Sequence, residues 1–138
     1  MPDMNRRGFL QSSATTVATF AASRSFAATA NEPLHFALIG AGAKGRHCAN
    51  DMLRIPDTKL TCICDINPES VSEATKLGPD ARIYEDWSEL LASESDLQAV
   101  IIALPEDTHA SAAIAAMEAG RDVFCEKPMA YSIDEARQ

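Results

Sequence analysis

Gly40, Gly42 and Gly45 stand in the run Gly40-Ala41-Gly42-Ala43-Lys44-Gly45, between a short apolar segment and the opening of a helical one. This spacing builds a cradle for a pyrophosphate. Gly40 permits a tight turn, Gly42 lets the backbone approach an anion, and Gly45 lets helix and strand pack closely. The helix opened there points free N–H groups and the positive end of its dipole at the same place. An acid, Asp65, ends the next apolar segment and is followed by Ile66. A carboxylate so placed accepts the hydroxyls of an adenosine ribose and repels a 2′-phosphate, which predicts NAD in preference to NADP. Glu126-Lys127-Pro128 follows the last apolar segment. On residue type alone it reads either as a reactive loop or as a surface turn with a solvated charge pair.

These groups need elements to position them. Leu34–Ile39 is nearly continuous apolar sequence between Pro33 and Gly40, as in a strand buried on both faces. Lys44–Leu53 reads as a helix ending before Pro56, and Lys59–Cys64 as a second strand. Asn67-Pro68 supplies an N-cap and a first-turn proline for a helix running to about Leu77, stopped by Gly78-Pro79. Arg82–Tyr84 is a short third strand, and Asp86-Trp87-Ser88-Glu89 caps a helix through Ala92. Ala99–Ala103 is a fourth strand, Thr108–Ala119 an Ala-rich helix closed by Gly120, and Asp122–Cys125 a fifth strand. Ser132-Ile133-Asp134-Glu135 has capping-box spacing and predicts a further helix. Alternating strands and helices indicate an α/β fold: a Rossmann-type, doubly wound parallel sheet in the order 3-2-1-4-5.

Residues 1–30 are not expected to belong to this fold. Arg6-Arg7-Gly8-Phe9-Leu10 precedes a mildly apolar Ser/Thr/Ala stretch that ends in Ala28-Thr29-Ala30, a small-x-small cleavage pattern. This arrangement resembles a twin-arginine signal peptide, which predicts the Tat translocon as a partner and export to the periplasm or beyond. The domain proper then spans residues 31–138. The 138 residues carry 12 basic and 20 acidic side chains, a net charge of −8. Such a chain lacks the basic surface that nucleic-acid binding requires. No run of eighteen apolar residues supplies a membrane anchor. Cys48, Cys62, Cys64 and Cys125 have neither zinc-site spacing nor disulfide logic, because two of them alternate along one strand. They read as small buried thiols, no metal site is expected, and Trp87 reads as a packing residue under its helix.

The glycine run, Asp65-Ile66-Asn67-Pro68, Leu104-Pro105-Glu106-Asp107-Thr108-His109 and Gly120-Arg121-Asp122-Val123-Phe124-Cys125-Glu126-Lys127-Pro128 together resemble the Gfo/Idh/MocA oxidoreductase family. The resemblance implies that Lys127 is catalytic, beside the nicotinamide and the substrate hydroxyl. It places Glu126 in the same pocket, and Leu104, Pro105 and His109 on a loop against the cofactor. It also implies a cis bond before Pro128, a sugar, cyclitol or related polyol as substrate, and a homo-oligomer in the full-length protein. Members carry a second α/β domain that completes the substrate pocket. Nothing after Gln138 supplies one, so the chain reads as the cofactor half of a longer protein. Two other readings share this half: an exported glycosidase with retained NAD, and an inactive dinucleotide-binding module.

Overall fold

The computed structural model describes residues 32–138, so the twin-arginine leader lies outside the described residues. Five strands, β1 (Leu34–Ile39), β2 (Thr58–Cys64), β3 (Arg82–Tyr84), β4 (Ala99–Ile102) and β5 (Asp122–Cys125), form one sheet in the order β3-β2-β1-β4-β5. Every pairing is parallel. This is the expected Rossmann-type order. β1 lies at the centre, and Phe36, Ala37, Leu38 and Ile39 are fully buried because helices cover both faces of the sheet. One face packs Phe36, Leu38, Leu60, Ile63 and Ile101 with Ala49 of α1 (Ala43–Met52) and Ala74 of α2 (Pro68–Ala74). The other packs Ala37, Ile39, Cys62, Cys64, Val100 and Ile102 under Leu90 and Leu91 of α3 (Trp87–Ser93) and Ala112 and Ala116 of α4 (His109–Glu118).

The helix starts follow local chemistry. The Asn67 side chain accepts hydrogen bonds from the N–H groups of Glu69 and Ser70, and Asp86 accepts from those of Ser88 and Glu89. At the C-terminus of α4, Gly120 adopts φ +75°, and the Arg121 N–H donates back to Ala116 O at 3.0 Å. The expected second helix is shorter than its pattern, since α2 ends at Ala74 and turns continue to Leu77. The helix expected from Ser132 is a single 3₁₀ turn, Glu135–Arg137. Its capping box does form: Glu135 N–H donates to Ser132 Oγ, and Glu135 Oε2 accepts from the Ser132 and Tyr131 N–H groups. With Tyr131 and Ile133 exposed, however, no buried face supports a longer helix.

The edge strand β3 is too short to be secured by pairing alone. Glu94, buried just past α3, takes the Arg82 guanidinium on both carboxylate oxygens and the Tyr84 hydroxyl on one. This bolts β3 to α3 across the Glu85-Asp86 turn. Arg121 braces the neighbouring loop by donating to the carbonyls of Glu94, Ser95 and Leu97.

The Arg82 guanidinium, and then Tyr84, hold the Glu94 carboxyl below the usual carboxylate range against the opposing effect of burial. A carboxyl depressed on folding stabilises the protein above its unfolded pKa, and that stabilisation is lost as pH falls through the folded value. Glu94→Gln should therefore cost about 1–2 kcal/mol at neutral pH, the scale of a charged hydrogen bond beside a solvated arginine. The gap between the variant and the parent in urea melts should be flat from neutrality down to about pH 5 and close progressively below about pH 4. A gap independent of pH across that range would contradict the assignment.

Candidate functional site

The site is assembled at the C-terminal ends of the strands, where the connections from β1 and β4 diverge to opposite faces. β1 runs into Gly40, which has φ +93° and whose N–H donates to Cys64 O at 2.8 Å. A Cβ at Gly40 would lie 2.4 Å from Ala103 O, and one at Gly45 would lie 2.0 Å from Gly40 O. Only glycine fits at either position. Gly42 differs: a Cβ there would meet nothing within 4 Å. That space is a cradle open to a ligand. Gly42 is also the N-cap of α1 and provides no side-chain hydrogen bond. The first N–H groups of α1 thus remain available to an anion. Glycine turn, open cradle and uncapped helix together fit a pyrophosphate.

Asp65 follows β2, and both its oxygens are engaged. Oδ2 accepts the Ala41 N–H at 2.6 Å, and Oδ1 accepts the Asn67 N–H at 2.8 Å. The carboxylate therefore ties the glycine loop to the β2–α2 turn, and its remaining lone pairs stay available to ribose hydroxyls. Beside it opens a cavity of about 590 Å³. Gly40, Gly42 and Asp65 line it on one side and Glu85, Asp86 and Trp87 on another, with Ile66 and Pro105 also on its wall. Trp87 packs partly against the core, as its sequence position implied, and also faces this cavity.

A second cavity of about 310 Å³ is lined by Lys44, Ala103, Leu104, His109, Glu126 and Lys127. The Glu126 N–H donates to Ile102 O at 2.9 Å, extending the sheet by one residue. Its carboxylate accepts from the Cys48 thiol at 3.3 Å and pairs with the Lys44 ammonium at 3.2 Å. The Cys48 thiol, and then Lys44, hold this carboxyl below the ordinary range, while Glu126 raises the Lys44 ammonium. Glu126 is therefore an anion at neutral pH, and Lys44 is turned to it. The Lys127 ammonium, by contrast, has no hydrogen-bond or ion-pair partner among the described residues. The Lys127–Pro128 peptide is cis.

His109 is 2% exposed, and both its ring nitrogens face backbone oxygens. Nδ1 lies 2.7 Å from Pro128 O and Nε2 2.8 Å from Leu104 O. Its polar atoms thus tie the loop after β4 to the loop after β5. The resemblance assigned this histidine to a loop against the cofactor; in the structure backbone carbonyls face both ring nitrogens. Two partners were not foreseen at all. Cys48 and Lys44 both lie on α1, four residues apart, and therefore share the face turned to Glu126. All four cysteines are free. Cys62 and Cys64 are buried, and burial pushes the Cys64 thiol up to about 12. Cys48 and Cys125 are only half-buried. They differ from the expectation because Cys48 turns from the middle of α1 toward the Glu126 carboxylate, and Cys125 ends β5 just before it.

Residues 34–138 match the model of the Gfo/Idh/MocA oxidoreductases, described as an oxidoreductase family with an NAD-binding Rossmann fold. An inositol 2-dehydrogenase of Burkholderia multivorans is 36% identical over 103 residues, 73% of this chain and 30% of the relative. The crystal structure of a myo-inositol 2-dehydrogenase from Lactobacillus plantarum superposes with a TM-score of 0.70 at 30% identity, over 77% of this chain and 31% of that one. The WlbA dehydrogenase of Bordetella pertussis, solved with NADH and UDP-GlcNAcA, gives 0.70 at 30% identity over 78% and 31%. The chain thus spans about 30% of the length of the curated relatives it matches. On the fold, the glycine cradle and this match, the chain belongs to the Gfo/Idh/MocA oxidoreductase family and carries its NAD-binding Rossmann domain.

Proposed function

We propose that the chain is the cofactor half of an NAD-dependent dehydrogenase acting on a sugar, cyclitol or related polyol. The observation that carries this reading is that the Lys127 ammonium, unpaired among the described residues, lines one cavity with Lys44 of the glycine run, Leu104, His109 and Glu126. A bound nicotinamide supplies the hydride-accepting carbon. The protein's part is to hold the groups around it. The helix α1 N-terminus and the backbone at Gly42 hold the pyrophosphate, and Asp65 holds the ribose hydroxyls. Lys127, unencumbered by a salt bridge, holds the substrate oxygen and assists departure of its proton. Glu126 is engaged by Cys48 and Lys44 rather than by the Lys127 ammonium. A second domain completes the substrate pocket, and the full-length protein is a homo-oligomer. The relatives' names support this reading, since they are inositol 2-dehydrogenases. The Arg6-Arg7 pair and the Ala28-Thr29-Ala30 site support export through the Tat translocon.

Three outcomes are expected. In titrations of the chain followed by calorimetry, NADH should bind at least about tenfold more tightly than NADPH, because a 2′-phosphate meets the Asp65 carboxylate. Tighter NADPH binding would reverse the assigned preference. In the full-length protein, Lys127→Ala should keep the NADH affinity and reduce turnover of the polyol by roughly 10²–10⁴-fold, the usual range for a lost proton-transfer group. Parental turnover in that variant would remove Lys127 from the chemistry. Replacing Arg6-Arg7 by Lys-Lys should leave the protein in the cytoplasm of a Tat-competent bacterium, whereas periplasmic recovery of that variant would sink the export assignment.

A further inference from the structure

The cavity beside the glycine loop holds an excess of one sign of charge. Among its lining residues Asp65, Glu85 and Asp86 are acids and none is a lysine or arginine. The three carboxylates are not equivalent. Asp65 is committed to the Ala41 and Asn67 N–H groups. Asp86 is committed to the start of α3, accepting from the N–H groups of Ser88 and Glu89 and from the Ser88 hydroxyl. Ser88 chiefly holds its carboxyl below the usual range, so its charge is fixed. Glu85 is exposed and has no hydrogen-bond or ion-pair partner among the described residues. It sits in the short turn between β3 and α3, and that turn is held from both ends by the Arg82–Glu94–Tyr84 cluster. Glu85 is thus a free carboxylate on a fixed backbone, and it lines the same wall as Trp87.

We propose that Glu85 is a second specificity-determining residue that excludes a 2′-phosphorylated dinucleotide independently of Asp65. The inference rests on the dinucleotide reading above. A 2′-phosphate entering this cavity brings about two negative charges into a space already lined by three carboxylates. Repulsion from Glu85 adds to that from Asp65. The two acids differ in what else they do. Removing the Asp65 carboxylate releases the glycine loop, which harms the binding of either dinucleotide. Removing the Glu85 carboxylate disturbs no hydrogen bond of the fold, so its charge can be changed alone.

The test is calorimetric titration of the chain and its variants with NADH and NADPH at low salt. Glu85→Lys should raise the NADPH-to-NADH affinity ratio roughly tenfold or more, since the 2′-phosphate adds about two charges for the new cation to attract beyond those that both dinucleotides share. Glu85→Gln should move the ratio the same way by a smaller factor. The gain should shrink on raising the salt to about 0.5 M, as a screened charge effect requires. Asp65→Asn should weaken both dinucleotides. If Glu85→Lys and Glu85→Gln leave the NADPH-to-NADH ratio at its parental value while the parent binds NADH, the role of Glu85 is overturned and the dinucleotide reading stands. If the parent binds neither dinucleotide, both fail.

Discussion

Everything at this site depends on how closely α1 approaches the end of β1. The gap is too small for a methyl group: a side chain at Gly45 would strike Gly40 O at 2.0 Å, and one at Gly40 would strike Ala103 O at 2.4 Å. Backbone therefore meets backbone at the point where three elements converge. That contact fixes the direction of α1 and aims its free N–H groups into the crevice beyond the strands. It also sets Ala41 against Asp65, so that the loop after β2 is positioned by the same turn. A change in this one approach would displace the glycine loop and Asp65 together.

The crevice built on that contact is electrically uneven. One end holds Asp65, Glu85 and Asp86, and the other holds Lys44 and Lys127. Lys44 is spent on Glu126, so Lys127 is the cation left for a ligand at its end. The protein as a whole carries a charge of −8, so attraction of a dinucleotide phosphate cannot come from net charge. It comes from the dipole and unpaired N–H groups of α1, which act within a few ångströms. This local arrangement allows an acidic protein to bind an anionic ligand.

The pattern of apolar runs carried most of the fold. Leu34–Ile39 and Ala99–Ile102 are nearly all apolar because both faces of a parallel sheet are covered, and the caps Asn67 and Asp86 satisfy helix N–H groups within three residues. These are local rules, so they could be read locally. The helix expected after Ser132 also obeyed its local rule at the cap, yet it went no further than a 3₁₀ turn, because extension depends on burying a face. The half-buried state of Cys48 and Cys125 was illegible for a related reason. Their burial depends on what packs around Glu126, which is distant in sequence from Cys48.

The glycine turn and the acid after β2 were legible in the sequence because each is a local pattern of backbone and short side chain. A role for the Glu-Lys-Pro loop was suggested only by resemblance, since residue type alone allows a solvated turn. What the tertiary structure decided was which groups are free. Lys44 and Cys48 reach Glu126 across 82 and 78 positions of sequence, His109 joins two loops through the carbonyls of Leu104 and Pro128, and Glu94 bolts β3 in place. Among the described residues these pairings leave Lys127 and Glu85 as the unengaged charges lining the two cavities. Sequence names the charges within reach of a motif, but their availability is set by long-range neighbours that compete for the same lone pairs and protons.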